Sequence, residues 1–365
     1  MERKKIHGQS TACQREKCCQ ASRVSEVRSH MPQLDSLRAL AILGVAYHHW
    51  LPASWRMGLP TEAGLFFFFV LSGFLMTRGL LHERDRMTIG SILKKFHIKR
   101  LKRIYPAYYA ALAIAALCGR EAILHHPLYW LTNTQNFLIQ KLDYWPDSVS
   151  HFWTLAIEQQ YYIFWPLVIL LCPKRWMTTA LLLLVCISPL ARYLIEEGQA
   201  SCINLNPLKM IDDFAIGSLL ALWMRHGMTL PNRWTDLAGI LALCGYAFFY
   251  CLWQLNLPSH GGGYFQQTLL AVAFASLIAR AATGRTGILA RLLDSPLLVK
   301  IGHMSYGIYL FHNLAPLFAG KIFWFLWHPQ LDANLAIILR IPCYLLITWA
   351  LTLLCERFIE KKFNS

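Results

Sequence analysis

Residues 64–81 read GLFFFFVLSGFLMTRGLL, eighteen positions in which Arg78 is the single charge. A helix on the surface of a soluble domain keeps a polar face, and this run has none; its length matches the hydrocarbon thickness of a bilayer. Working outward, nine more segments of the same kind are bounded by charges, Pro or Gly: 36–52, 101–118, 152–172, 177–196, 208–225, 236–255, 264–282, 299–320 and 335–358. The composition agrees. Of 365 residues, 56% are hydrophobic and 15% charged, too few charges to clothe a soluble globule of this size. The expected fold is all-α, a polytopic integral membrane protein of about ten transmembrane helices, with no room for a large separate soluble domain. Eleven cysteines are an odd count, and Cys118, Cys172, Cys186 and Cys244 lie inside apolar runs, so they read as small core residues rather than a disulfide framework.

The 35 Lys and Arg exceed the 20 Asp and Glu by 15. In a soluble chain that excess would suggest nucleic acid; in a membrane chain it reports sidedness. With the N-terminus inside, the inner segments hold 26 Lys and Arg, while the outer loops hold only Arg56, Arg120, Lys141 and Lys321. That asymmetry places both termini in the cytoplasm and makes the number of spans even. Residues 1–33 are basic, lack the apolar core of a secretory signal, and read as a disordered cytoplasmic tail. Its Cys13, Cys18 and Cys19 have no second pair at zinc-finger spacing, so no metal is expected, and Met31 offers an alternative start. The membrane domain then covers 34–358, followed by a short cytoplasmic C-terminus at 359–365. The longest outer connection, about 119–151, carries His125, His126, Tyr129, Trp130, Tyr144, Trp145 and His151 and is expected to lie partly along the interface.

Polar residues inside the spans are the candidates for function. Arg38 and His49 are eleven residues apart, about three turns and about 16 Å along one helix face, with His48 pointing some 80° away. Alternatively, Arg38 pairs with Asp35 at i, i+3 and the His pair is interfacial. Lys94, Lys95, Lys99, Arg100, Lys102 and Arg103 form a basic cluster that the positive-inside rule explains for the most part; Arg100 and Arg103, three apart at the mouth of a span, could also clamp a phosphate. In HFWTLAIEQQYY, Glu158 sits about 9 Å in from Phe152, at a depth comparable with His49. The Tyr, Gln and Trp residues around it suit a sugar-binding wall, although interfacial aromatics would look the same. Another segment, GHMSYGIYLFH, places His312 in the outer half of the ninth span, and its Gly302, Ser305 and Gly307 suit close helix packing. Asp212, Asp213, Glu356 and Arg357 read as structural caps and ion pairs.

Six stretches in order, LDSLRALAILGVAYHH, FFFFVLSGFLMTR, RLKRIYPAYY, HFWTLAIEQQYYIFWP, IGHMSYGIYLFH and ERF, resemble acyltransferase family 3, membrane acyltransferases that modify bacterial surface polysaccharides, O-antigens, peptidoglycan and some macrolides. The family's Arg, ten residues, His pattern falls on Arg38 and His49, its Arg-x-x-Arg on Arg100 and Arg103, and its aromatic segment ending in Glu on Trp153 and Glu158. The resemblance implies an inner-membrane enzyme that takes an acyl group, most simply acetyl, from acyl-CoA in the cytoplasm and delivers it to a hydroxyl of a cell-surface glycan or lipid-linked precursor. On that reading Arg38, Arg100 and Arg103 hold the coenzyme's phosphates and the pantetheine arm climbs toward His49. His49 is the general base, and Glu158 orients or charge-balances it. A covalent acyl-His intermediate is the alternative. Trp153, Tyr161 and His312 are the implied substrate contacts; Ser72 lets helices pack rather than attacking the thioester. Some relatives carry a fused extracytoplasmic hydrolase-like domain; this chain stops seven residues after its last span, so such a partner, like other glycan-assembly proteins, is expected to be separate. The rival reading is a polytopic transporter with an intramembrane Arg, His and Glu path, against which stand the missing inverted repeats and the one-faced Arg38 to His49 ladder; a non-catalytic scaffold is a third.

Overall fold

Pro32 begins the first helix, where a missing N–H costs nothing, and from there every regular element among the described residues is helical. The computed structural model describes residues 31–146, 148–198, 203, 205–228, 230, 232–259, 261–284, 287–324 and 332–364. The expected N-terminal tail, with its three cysteines, therefore lies outside the described residues up to residue 30. The principal helices are α1 Pro32–Trp50, α2 Gly64–Arg84, α3 Ile89–Leu117, α4 Trp153–Leu171, α5 Met177–Gly198 and α6 Ile211–Arg225. They continue with α7 Arg233–Gln254, α8 Gln266–Thr283, α9 Pro296–His303, α10 Ser305–Phe311, α11 Ala315–Ile322 and α12 Ala333–Cys355. Five stretches, Thr61–Arg84, Lys174–Ile195, Arg233–Gln254, Gly262–Thr283 and Ala333–Phe363, are long and apolar enough to cross a membrane. The protein is an all-helical membrane protein.

The deciding run forms α2, which is apolar all round because it is the hub: α1, α3, α4, α6 and α8 all pack on it. Two glycines set its closest approach. A methyl group on Gly73 would overlap the Phe214 backbone, and one on Gly217 would overlap the Val70 carbonyl, so α2 and α6 meet backbone to backbone. Helix α7 is the opposite case. It buries only Gly239 and Ala242 and leaves Ile240, Leu241, Phe248 and Trp253 exposed, a surface suited to lipid rather than water.

Two expectations are corrected and a third gains detail. Helix α3 begins at Ile89 rather than near 101, because the Thr88 side chain caps it and nothing between 89 and 105 breaks it, so the basic cluster is helical. The ninth span is not one helix over 299–320 but the three pieces α9, α10 and α11. Pro316, four residues after His312, has no N–H for the His312 carbonyl, and that carbonyl accepts from Trp50 Nε1 instead (2.9 Å). The 119–151 connection folds into short helices at Glu121–His125, Pro127–Leu131 and Gln135–Leu142 whose Ile123, Trp130, Leu138 and Ile139 are buried. Tyr108 and Tyr109 of α3 donate to the Trp130 and Leu131 carbonyls (2.7 and 2.8 Å), while Leu124, Leu128, Leu131, Phe137, Tyr144 and Trp145 stay exposed for an interface. At the basic end, Asp85 joins Lys174 and Arg225 (2.6 and 2.7 Å), and the Lys174 hydrogen bond holds its carboxyl below the ordinary range.

Candidate active site

Helix α1 runs unbroken from Arg38 to His49, so one rigid element joins a cationic end to an imidazole end. Around His49 the chain gathers two more rings: His312 at 5.1 Å between centroids and His151 at 6.4 Å, with His151 and His312 4.8 Å apart. The neighbouring Trp50 ties this end of α1 to the His312 carbonyl. His48 turns away, toward Glu62 (3.7 Å), Thr61 and Arg56. His151 was legible only as part of an aromatic loop; the signal that could have found it is its position seven residues before Glu158, about two turns, which puts both on one helix face.

That spacing also corrects the depth of Glu158. His49 lies in the last turn of α1 and His151 in the first turn leading into the antiparallel α4, so these two are level and Glu158 is about 10 Å deeper. Its Oε1 accepts from Ser72 Oγ and from Tyr162 OH, both at 2.5 Å, and not from an imidazole. Ser72 is thus the carboxylate's partner, and the packing contact belongs to its neighbour Gly73. Arg100 extends the chain downward: it lies over the Tyr162 ring (4.6 Å) and the Phe96 ring (5.5 Å) and reaches the Tyr162 hydroxyl at 3.4 Å.

Arg38 pairs with Asp35 at 3.2 Å and also lies within electrostatic reach of Arg103 and Glu158. Asp35 is held from the other side by His303 (3.5 Å), and a side chain at Gly302 would overlap the Asp35 carbonyl, so α9 sits directly on the Arg38 turn. Arg103 lines an open groove of about 790 Å³ with Ser91, Lys94, Lys95, Lys99, Lys102 and Phe363. Arg100 and Arg103 therefore point to different places: one inward to the Glu158 chain, the other to a strongly cationic groove.

Two of the expected substrate contacts are not on a free surface. Tyr161 stacks on Phe214 (3.9 Å) and donates to the Pro207 carbonyl, which makes it core. His312 is fully buried and touches His49 rather than an open cavity. Trp153 is half-buried beside Trp145 (6.4 Å), and Trp145 is largely exposed, so this pair keeps an accessible aromatic face. Among the described residues no three His, Cys, Asp or Glu side chains are grouped to hold a metal ion.

The chain is 30% identical to a Staphylococcus aureus (strain MSSA476) protein described as a candidate O-acetyltransferase, with 78% of this chain and 50% of that one aligned. It is 27% identical to the peptidoglycan O-acetyltransferase OatA of Listeria monocytogenes (78% and 49%) and 26% identical to the O-acetyltransferase OatA of Staphylococcus aureus strain NCTC 8325 (78% and 50%). The chain spans about half the length of the curated relatives it matches. No solved structure matches. The acyltransferase domain model of family 3 matches residues 31–357, from the turn before α1 to just past α12, and the chain belongs to that family.

Proposed function

We propose that the protein is an O-acetyltransferase of the bacterial inner membrane, with ten spans and both termini in the cytoplasm, that moves an acetyl group from acetyl-CoA to a hydroxyl of a cell-surface glycan or its lipid-linked precursor. The observation that carries this reading is the two-ended site: Arg38, Arg103 and the lysine groove at one end of α1, and His49 with its companion imidazoles at the other. The cationic end faces the cytoplasm and neutralises the phosphates of the coenzyme, which could not otherwise approach the low-dielectric bundle. The pantetheine arm spans the distance to His49. A sugar hydroxyl is a weak nucleophile at neutral pH; His49 takes its proton as the oxygen attacks the thioester carbonyl, and the thiolate leaves. Glu158, held by Ser72 and Tyr162, lies between the two ends, where it orients the Tyr162 and Arg100 side chains that flank the thioester's path. Trp145 and Trp153 offer stacking faces to the acceptor sugar.

Two variants test this. Arg103→Ala should weaken acetyl-CoA binding to the purified protein about 10–100-fold, the loss of a charge-assisted contact. Glu158→Gln should leave that affinity within about twofold and lower transfer at least about 100-fold. Calorimetric titration and acetyl transfer read the two quantities separately. Unchanged binding in the first removes Arg103 from the donor site, and full transfer in the second makes Glu158 structural.

A further inference from the structure

The imidazole cluster contains two buried rings that differ in one respect. His151 is saturated: Asn313 Nδ2 donates to its Nδ1 and its Nε2 donates to the Leu310 carbonyl, each at 3.4 Å. His312 is not. Its Nδ1 lies 2.7 Å from the Tyr309 carbonyl, which can only accept, so the proton is on Nδ1 and Nε2 carries a lone pair. That Nε2 is buried without a hydrogen-bond partner, a costly state that calls for a donor. The ring beside it is His49. The two centroids are 5.1 Å apart with the rings tilted by 56°; since each imidazole nitrogen lies about 1.1 Å from its ring centre and an N–H···N bond is about 2.9 Å, this separation lets a turn of the His49 side chain bring its N–H onto Nε2. Other charged groups look elsewhere: Arg56 is engaged with His48 and the Leu51 carbonyl, and Glu158 with Ser72 and Tyr162.

We propose that His312 is the positioning residue behind His49: its Nε2 accepts the His49 N–H and so leaves the other His49 nitrogen free to take the proton of the acceptor hydroxyl. The role that a carboxylate plays behind many catalytic imidazoles is filled here by a second, neutral imidazole, itself fixed by the Tyr309 carbonyl. When His49 gains the acceptor's proton, its opposite N–H bond to His312 strengthens and spreads the new positive charge toward the Tyr309 carbonyl; no further reactant is needed, and the proton returns to the departing thiolate. The Trp50 bond to the His312 carbonyl keeps the two rings in register. This inference rests on the acetyltransferase reading for its chemistry but not for its geometry.

The test uses two substitutions that keep different halves of the ring. In His312→Gln the side-chain oxygen reaches the Nε2 position and can still accept from His49; in His312→Asn the amide reaches only the Nδ1 position and keeps the Tyr309 contact. With an N-acetylglucosamine oligosaccharide supplied as the hydroxyl acceptor, release of free coenzyme thiol from acetyl-CoA by the purified protein in lipid nanodiscs should fall by no more than about tenfold in the Gln variant and by about 100-fold or more in the Asn variant, with similar melting temperatures. A purely structural His312 gives the reverse order, since Asn preserves the existing bond, and that order would overturn the proposal. Independently of turnover, nitrogen-15 spectra of histidine-labelled protein in liposomes should show the His49 N–H hydrogen-bonded in wild type and His312→Gln and released in His312→Asn. An unchanged His49 signal in all three overturns the proposal. Wild-type spectra with the bond present but no thiol release above that of His49→Ala would uphold the pairing and reject the acetyltransferase reading.

Discussion

Replacing His49 with alanine is expected to lower acetyl transfer by about 1,000-fold or more, within the range a positioned general base supplies and enough to erase the ester from surface glycans. The size of the effect follows from the neighbours. His151 has both ring nitrogens engaged, and His312 is fully buried behind His49, so neither imidazole can reach an acceptor hydroxyl in its place. The variant should fold normally, because His49 is only partly buried and alanine suits the continuous helix α1. Mass spectrometry and NMR of surface glycans from cells lacking the protein, cells with wild type and cells with His49→Ala at equal expression measure the outcome. An ester present with both versions would remove His49 from the chemistry; an ester present with wild type alone identifies acyl group and acceptor together.

The second large effect is on stability and lies away from the reaction. Arg192 of α5 binds both oxygens of Asp212 at 2.7 and 2.8 Å, with 4% and 0% of the two residues exposed. It also donates to the Lys209 and Tyr264 carbonyls and to Thr268, while Asp212 accepts from Thr268 and the adjacent buried Asp213 accepts from Gln267. One guanidinium thereby joins α5, α6 and α8. Arg192→Leu leaves two neighbouring buried carboxylates without a cation, which costs about 3–5 kcal/mol. The midpoint of thermal unfolding in detergent should fall by roughly 5–15 °C. Adding Asp212→Asn, which removes one of the stranded charges, should recover at least about half of the loss. A shift below about 1 °C in the single variant would mean that water or lipid headgroups already solvate the pair.

The reading of Asp212 as one half of an ion pair is available from the sequence, but its partner is not: Arg192 lies 20 residues away on another helix. The same division runs through the site. The spacing of Arg38 and His49 on one helix is a local property, and α1 bears it out as a continuous element. The expected link from Glu158 to His49 was a statement about two helices, and it went wrong because depth was counted from the start of α4 alone; the antiparallel α1 brings His49 level with His151, leaving Glu158 to Ser72 across 86 residues of sequence. The break in the ninth helix was written in Pro316, but the consequence, a carbonyl free for Trp50, needed α1 beside it.

What the sequence determined by itself is the helical membrane architecture, the order of its segments, the family, and the two polar ends of α1. A bilayer acts on each residue almost independently of its neighbours, so apolar length and charge can be summed along the chain without knowing what touches what. Only the tertiary structure decided which imidazole nitrogen lacks a partner, which carboxylate binds which donor, and which aromatic residues face outward rather than into the core. Those outcomes depend on contacts of a few ångströms between residues far apart in the chain. Their positions are fixed by how closely α1, α2, α6 and α9 approach at Gly73, Gly217 and Gly302, where the absence of a side chain lets one backbone rest on another.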